Sequence, residues 1–116
     1  MSLADGKCLP CEGGVPKLDL ARASALLAEL DGWSLEGERI RRHLRFRDFA
    51  AAMRFVNAMA ELAEREGHHP DFLVRDWNVV EVWLSTHAIG GLSENDFVLA
   101  AKIDRLPREE AGRAGR

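Results

Sequence analysis

The sequence lacks what several large classes of protein require. Its 116 residues include only two cysteines, and the formal net charge is −3 with histidine neutral. Nucleic-acid-binding domains usually carry an excess of Lys and Arg that binds the phosphates, so this negative net charge argues against direct nucleic-acid binding. No apolar run approaches the roughly 20 residues of a membrane span, and no basic segment followed by an apolar one opens the chain. We therefore expect a cytoplasmic protein of one domain, without a membrane partner.

Several catalytic and metal-binding signatures are absent too. The chain has no P-loop, no GxSxG and no GxGxxG after a predicted strand. Cys8 and Cys11 form a lone CxxC in "KCLPCEGG", whereas a structural zinc site takes four ligands. We interpret residues 1–17 as an irregular N-terminal arm with a mobile, reduced CxxC loop. A disulfide, or a metal shared with distant histidines, is the alternative.

What the chain does have is a succession of periodic segments. Predicted helices run from a cap at Asp19 to about Leu30, from a cap at Asp48 to the stop at Gly67, and from a capping box at Ser93 and Asp96 to about Ile103. Two hairpins separate them, one turning at Glu36–Gly37 and one spanning residues 71–88. The order α-β-β-α-β-β-α predicts an α+β domain over residues 18–105, with an antiparallel sheet covered by helices on one face. Residues 106–116 are charged, and we expect a frayed tail.

The alternation of the strands predicts how the sheet is covered. In the second strand a basic row faces away from the apolar residues: Arg41, His43, Arg45 and Arg47. We interpret it as a solvated face, with an anionic partner as the alternative. The last strand carries apolar residues on both faces, which favours helices on one side and another subunit on the other.

The stretch "EREGHHPDF", Glu64 to Phe72, places two histidines after a helix. Pro70 restricts His69 to extended geometry, so the two imidazoles should point apart. Glu64 lies at i, i+4 from His68 and could fix its tautomer. His87, at the end of a strand, and Asp96, at the start of a helix, could join the same pocket. Exposed loop histidines, a metal site and acid–base catalysis all remain open on these residues alone.

Taken together, these residues resemble the signature of the pterin-4a-carbinolamine dehydratase family. That signature is a charged residue, three positions, His-His-Pro, a short gap, an aromatic, a second His and an Asp. It is matched here at Glu64, His68, His69, Pro70, Trp77, His87 and Asp96. The segments "DGWSLEG" and "STHAIGGLSENDFVLAAKID" also look like the family, and the resemblance covers about residues 17–104.

The resemblance implies a four-stranded antiparallel sheet in a homodimer or homotetramer. It implies dehydration of 4a-hydroxytetrahydropterin to quinonoid dihydropterin, which recycles the pterin for an aromatic amino-acid hydroxylase. One base and one acid suffice, so we expect no metal and no organic cofactor. Relatives that act as transcriptional dimerisation cofactors or as assembly factors supply the alternative function, although an assembly-only relative would be expected to lose the histidines.

The resemblance also implies roles for individual residues. His68 and His69 would take opposite proton-transfer duties, and His87 would lie near the 4a-hydroxyl or share the acid role. Glu64 would orient His68, and Asp96 and Pro70 would shape the pocket. Trp77 would pack beneath the site, as large aromatics on strands usually do, with stacking on the pterin as the alternative.

Overall fold

The computed structural model describes residues 3–8 and 16–111, so Cys11 and both chain ends lie outside the described residues. The predicted element order is confirmed. The helices are α1 (Leu20–Leu27), α2 (Phe49–Glu66) and α3 (Glu94–Asp104), and the strands are β1 (Trp33–Glu36), β2 (Arg39–Arg45), β3 (Asp71–Arg75) and β4 (Val79–Leu84). Two 3₁₀ turns lie at Leu3–Asp5 and His87–Ile89. The first helix is one turn shorter than the sequence predicts.

The four strands form one antiparallel sheet in the order β1-β2-β4-β3. Ile40 of β2 pairs with Leu84 of β4, and Leu44 pairs with Val80. These buried side chains belong to the same core cluster as residues of all three helices. The α+β prediction, with helices on one face of the sheet, is therefore confirmed.

The helix ends follow local chemistry. Asp19 and Asp48 accept the backbone N–H groups of Arg22 and Ala51, each at 2.8 Å. Such caps stabilise a helix by typically ~1 kcal/mol because they satisfy donors that have no partner inside the helix. Gly67 ends α2 in the left-handed conformation, with φ 66°, a geometry that glycine adopts without steric cost. This turn sets the direction of the histidine pair.

The outer face of the sheet is less simply solvated than predicted. Glu81 of β4 is buried there and accepts from Arg41 Nε at 2.9 Å and from Arg75 Nε at 2.6 Å. Hydrogen bonds from Arg75 and Arg41 lower the pKa of the Glu81 carboxyl below its ordinary value, despite desolvation. His43 and Arg45, by contrast, are exposed. A second subunit on this face stays a prediction.

The prediction of a frayed C-terminal tail was wrong for residues 109–111. The N–H of Arg47 donates to the carbonyl of Glu109 at 2.8 Å, and the N–H of Ala111 donates to the carbonyl of Arg45 at 2.9 Å. Arg54 also donates two hydrogen bonds to the Glu109 carboxylate, from Nε at 2.7 Å and from Nη2 at 2.8 Å. The segment thus extends the sheet beside the end of β2, and Glu109 forms ion pairs with Arg47 and Arg54, which are remote in sequence.

The N-terminal arm is anchored where it is described. Ala4 is buried in the first 3₁₀ turn, which packs on α3. Cys8 donates its backbone N–H to Glu66 Oε1 at 3.0 Å. Residues 3–8 of the predicted arm thus make tertiary contacts, whereas most of the CxxC loop lies outside the described residues, so its mobility stays a prediction. Within the described part of the chain, no helix is long and apolar enough to cross a membrane.

Candidate active site

The antiparallel register brings the three candidate imidazoles to one end of the sheet. Asp71, the first residue of β3, pairs with Trp83 near the end of β4. The linker His68–Pro70 therefore enters the sheet where the segment Ser85–His87 leaves it. The N-terminus of α3 reaches the same end, since its Asp96 contacts both segments.

His68 is the buried member of the pair. Its side chain is 5 % exposed, and its Nε2 lies 2.6 Å from Oδ1 of Asp96, which is fully buried. The N–H of His68 donates to the carbonyl of Ala63 in the last turn of α2 at 3.3 Å. The left-handed turn at Gly67 therefore keeps His68 close to the end of this helix. Asp96, expected to shape the pocket, is a direct partner of this imidazole.

The second oxygen of Asp96 is held from the opposite side. Oδ2 accepts from Thr86 Oγ1 and from the N–H of Ser93, both at 2.9 Å. Thr86 Oγ1 also lies 2.8 Å from Ser93 Oγ. Ser93 and Asp96 form the predicted capping box of α3. Buried carboxyl oxygens without hydrogen-bond partners would be strongly destabilising, and this network gives both oxygens of Asp96 partners inside the core.

His69 points the other way, as predicted from Pro70. Its side chain is 60 % exposed, and its Nε2 lies 2.7 Å from Oε2 of Glu64. The prediction that Glu64 orients His68 was therefore wrong. The helix ends at Gly67, so the i, i+4 geometry does not reach His68, and the carboxylate meets the next residue instead. Such an exposed pair contributes only ~0–1 kcal/mol to stability. Its main effect is to orient the imidazole ring of His69.

His87 supplies the third imidazole of this end. It opens the second 3₁₀ turn and is exposed, while its carbonyl accepts the N–H of Gly90 at 3.1 Å. Its neighbour Thr86 is the residue that binds Asp96. Among the described residues, no three potential metal ligands are grouped together. One buried and two exposed imidazoles, two of them paired with carboxylates, suit proton exchange with a small molecule bound here.

Comparison with known families decides where this arrangement belongs. The family model described as pterin 4 alpha carbinolamine dehydratase matches residues 16–106. The chain belongs to this family. The match includes every residue of the network and all three site histidines, so the resemblance read from the sequence is confirmed.

Relatives in the dehydratase family agree over nearly the whole chain. A Nitrosomonas europaea protein, provisionally named pterin-4-alpha-carbinolamine dehydratase, is 53 % identical over 106 residues, covering 90 % of this chain and 92 % of its own. An Azoarcus protein with the same provisional name is 46 % identical, covering 97 % of both chains. A crystal structure of a transcriptional coactivator/pterin dehydratase from Brucella melitensis has a TM-score of 0.72 at 35 % identity, covering 77 % of this chain and 96 % of that one.

Trp77, the aromatic of the family signature, lies away from the other site residues. It occupies the turn between β3 and β4, at the opposite end of these strands from the histidines, and is 60 % exposed. The prediction that it packs beneath the site was therefore wrong for a single chain. Its φ of 57° is unusual for a bulky residue. Trp77 instead lines a separate cavity of about 510 Å³ with Arg45 and Arg47.

Sequence reasoning missed three polar residues near this candidate site. Thr86 lies on the buried face of its strand, and a buried hydroxyl needs a partner, so its position was a usable signal. Ser93 was recognised only as a helix cap. Glu66 gave no local signal, because its partners are remote: the N–H of Cys8 and Lys102 Nζ, at 3.4 Å. Burial raises the pKa of Glu66, but these donors outweigh it and the net pKa lies below the ordinary value.

Proposed function

We propose that this protein catalyses the dehydration of 4a-hydroxytetrahydropterin to quinonoid dihydropterin and water. Family membership and the names of its relatives support the substrate class. The observation that carries the proposal is the adjacent pair of carboxylate-bound imidazoles, His68–Asp96 buried and His69–Glu64 exposed, with His87 at the same end of the sheet. Two neighbouring rings in different surroundings suit two opposite proton transfers.

The chemistry balances with one base and one acid. The N5–H bond breaks, and its electron pair forms the N5–C4a double bond. The C4a–O bond breaks at the same time, and the leaving oxygen takes a proton and departs as water. No electrons pass to another molecule, so the proposal includes no cofactor. General acid–base assistance of this kind contributes typically ~10²–10⁴-fold to a rate.

We assign the two proton transfers to His68 and His69, with His87 near the 4a-hydroxyl or sharing the acid role. Glu64 holds His69, and Asp96 holds His68. Pro70 fixes the linker that carries both rings. We further propose that the protein works as a homodimer or homotetramer, as the resemblance to the family implies. Its biological partner would be an aromatic amino-acid hydroxylase whose pterin it recycles.

The test is the dehydration rate of freshly made 4a-hydroxytetrahydropterin, followed by stopped-flow absorbance. The wild type is compared with His68→Ala and His69→Ala, each checked for folding by circular dichroism. His43→Ala is the matched control, because His43 is exposed on the outer face of β2. We expect a wild-type rate well above buffer, a loss of ~10²-fold or more in the two site variants, and no change in the control.

A second candidate is a binding module without catalysis. The Brucella melitensis relative carries a title that joins coactivator to pterin dehydratase, so one fold can be connected with both activities. A folded wild-type protein that dehydrates the pterin no faster than buffer would overturn the enzyme proposal and favour this module.

A further inference from the structure

We infer that Thr86 and Ser93 are positioning residues for His68, acting through Asp96. This rests on the proposed function in one respect: it explains how the buried imidazole is prepared for proton transfer. Neither residue belongs to the set that the family resemblance implies. Both are fully buried beside Asp96.

The hydrogen bonds among these groups have one consistent direction. A hydroxyl has a single hydrogen to donate, and an ionised carboxylate only accepts. Thr86 therefore uses its hydrogen on Oδ2 of Asp96, at 2.9 Å. Ser93 Oγ accepts the N–H of Asn95 at 3.2 Å and gives its own hydrogen to Thr86 Oγ1, at 2.8 Å. The chain of donors runs from Ser93 through Thr86 to Asp96.

This direction fixes the orientation of the carboxylate. The last torsion of an aspartate side chain is broad, so the group would otherwise rotate easily. Two donors on Oδ2, the Thr86 hydroxyl and the Ser93 N–H, hold the carboxylate plane and aim Oδ1 at Nε2 of His68. The neutral ring then carries its hydrogen on Nε2 and has its lone pair on Nδ1. Thr86 and Ser93 thereby select one tautomer of His68.

The backbone around Thr86 is held independently of its hydroxyl. Its N–H donates to the carbonyl of Gly91 at 2.7 Å, and the two residues form an isolated bridge. Its φ of −112° suits a β-branched residue. Thr86→Val thus removes the donor while keeping shape and chain path, and Thr86→Ser keeps the donor.

The test measures the tautomer and the rate separately. Long-range ¹H–¹⁵N spectra of the imidazoles, without any pterin, report which nitrogen of His68 carries hydrogen; His68→Asn assigns the signal. We expect Nε2–H in the wild type, a tautomer mixture in Thr86→Val, and recovery in Thr86→Ser. With pterin, Thr86→Val should lose about 10- to 100-fold in kcat, as expected for a misplaced reacting group, and its pH profile should change. Ser34→Ala, an exposed hydroxyl deletion on β1, should change neither.

A merely structural role would lower the melting temperature and leave the tautomer and pH profile as in the wild type; that result in a folded Thr86→Val overturns the inference. If Thr86→Val does not fold, Thr86→Ala carries the same test, because it removes the same hydroxyl from Oδ2 of Asp96. A wild type without dehydratase activity, but with a tautomer that Thr86→Val disturbs, overturns the proposed function alone and supports the positioning role.

Discussion

Replacing Asp96 by alanine tests the buried network most directly. The substitution removes the acceptor for three buried donors: His68 Nε2, the Thr86 hydroxyl and the Ser93 N–H. A buried donor left unsatisfied costs ~1–3 kcal/mol. With partial relaxation and entry of water, we expect about 3–5 kcal/mol of lost unfolding free energy. For a chain of this size that corresponds to a fall of roughly 12–20 °C in Tm.

Urea and thermal unfolding followed by circular dichroism measure this loss. Protein concentration must be matched between samples, because any oligomer makes stability depend on concentration. Glu94→Ala is the control. Glu94 lies two residues earlier on α3 and forms an exposed ion pair with Arg22 at 3.3 Å, so its replacement should cost less than ~0.5 kcal/mol. A loss below about 1 kcal/mol for Asp96→Ala would refute the network as described.

Three further outcomes are expected. Folding lowers the pKa of Glu81, so the stability that its ionised carboxylate contributes is complete above the ordinary pKa of 4.5 and is lost as pH falls toward the folded pKa. Between pH 5 and 3 the urea midpoint of Glu81→Gln should therefore decline less than that of the wild type. Parallel declines of the two midpoints would contradict this. Gly67→Ala, at a left-handed φ where no other described residue comes within 4 Å of the new Cβ, should lower the free energy of urea unfolding by about 1 kcal/mol, and Gly67→Asn by less. An alanine variant as stable as the wild type would argue against the left-handed turn. Deleting residues 108–116 removes two backbone hydrogen bonds to the sheet and should lower the free energy of unfolding by roughly 2 kcal/mol. Deleting only residues 112–116 leaves both bonds in place. Equal losses of stability in the two deletions would show that these hydrogen bonds are not the cause.

What the sequence predicted well depends on neighbours along the chain. The caps at Asp19 and Asp48 and the stop at Gly67 act within one helical turn, so residue types at fixed spacing were enough to find them. The alternation of β2 and β4 likewise gave the buried face of the sheet, because side-chain direction in a strand has a period of two. The element order and the α+β class followed from these local signals.

What the sequence predicted badly depends on packing. Glu64 was paired with the wrong histidine because one left-handed residue changed the direction of the chain. The contact of Asp96 with His68 spans 28 residues, and no spacing rule points to it. Trp77 was expected to be covered, but its place in a tight turn leaves it exposed. The segment 109–111 looked like a frayed end because its basic partners are remote in sequence: Arg47, which follows β2, and Arg54 on α2.

The pairing of residues 109–111 with the end of β2 has a consequence for the order of folding. Both hairpins and α2 are complete in sequence well before these residues are synthesised, so most of the sheet can form on the nascent chain. The edge beside the end of β2 receives this partner only after residues 109–111 have been synthesised. Until then Arg45 and Arg47 present unpaired backbone groups, a template to which another strand can add. In the folded chain residues 109–111 occupy this edge, so a strand of another chain cannot add there.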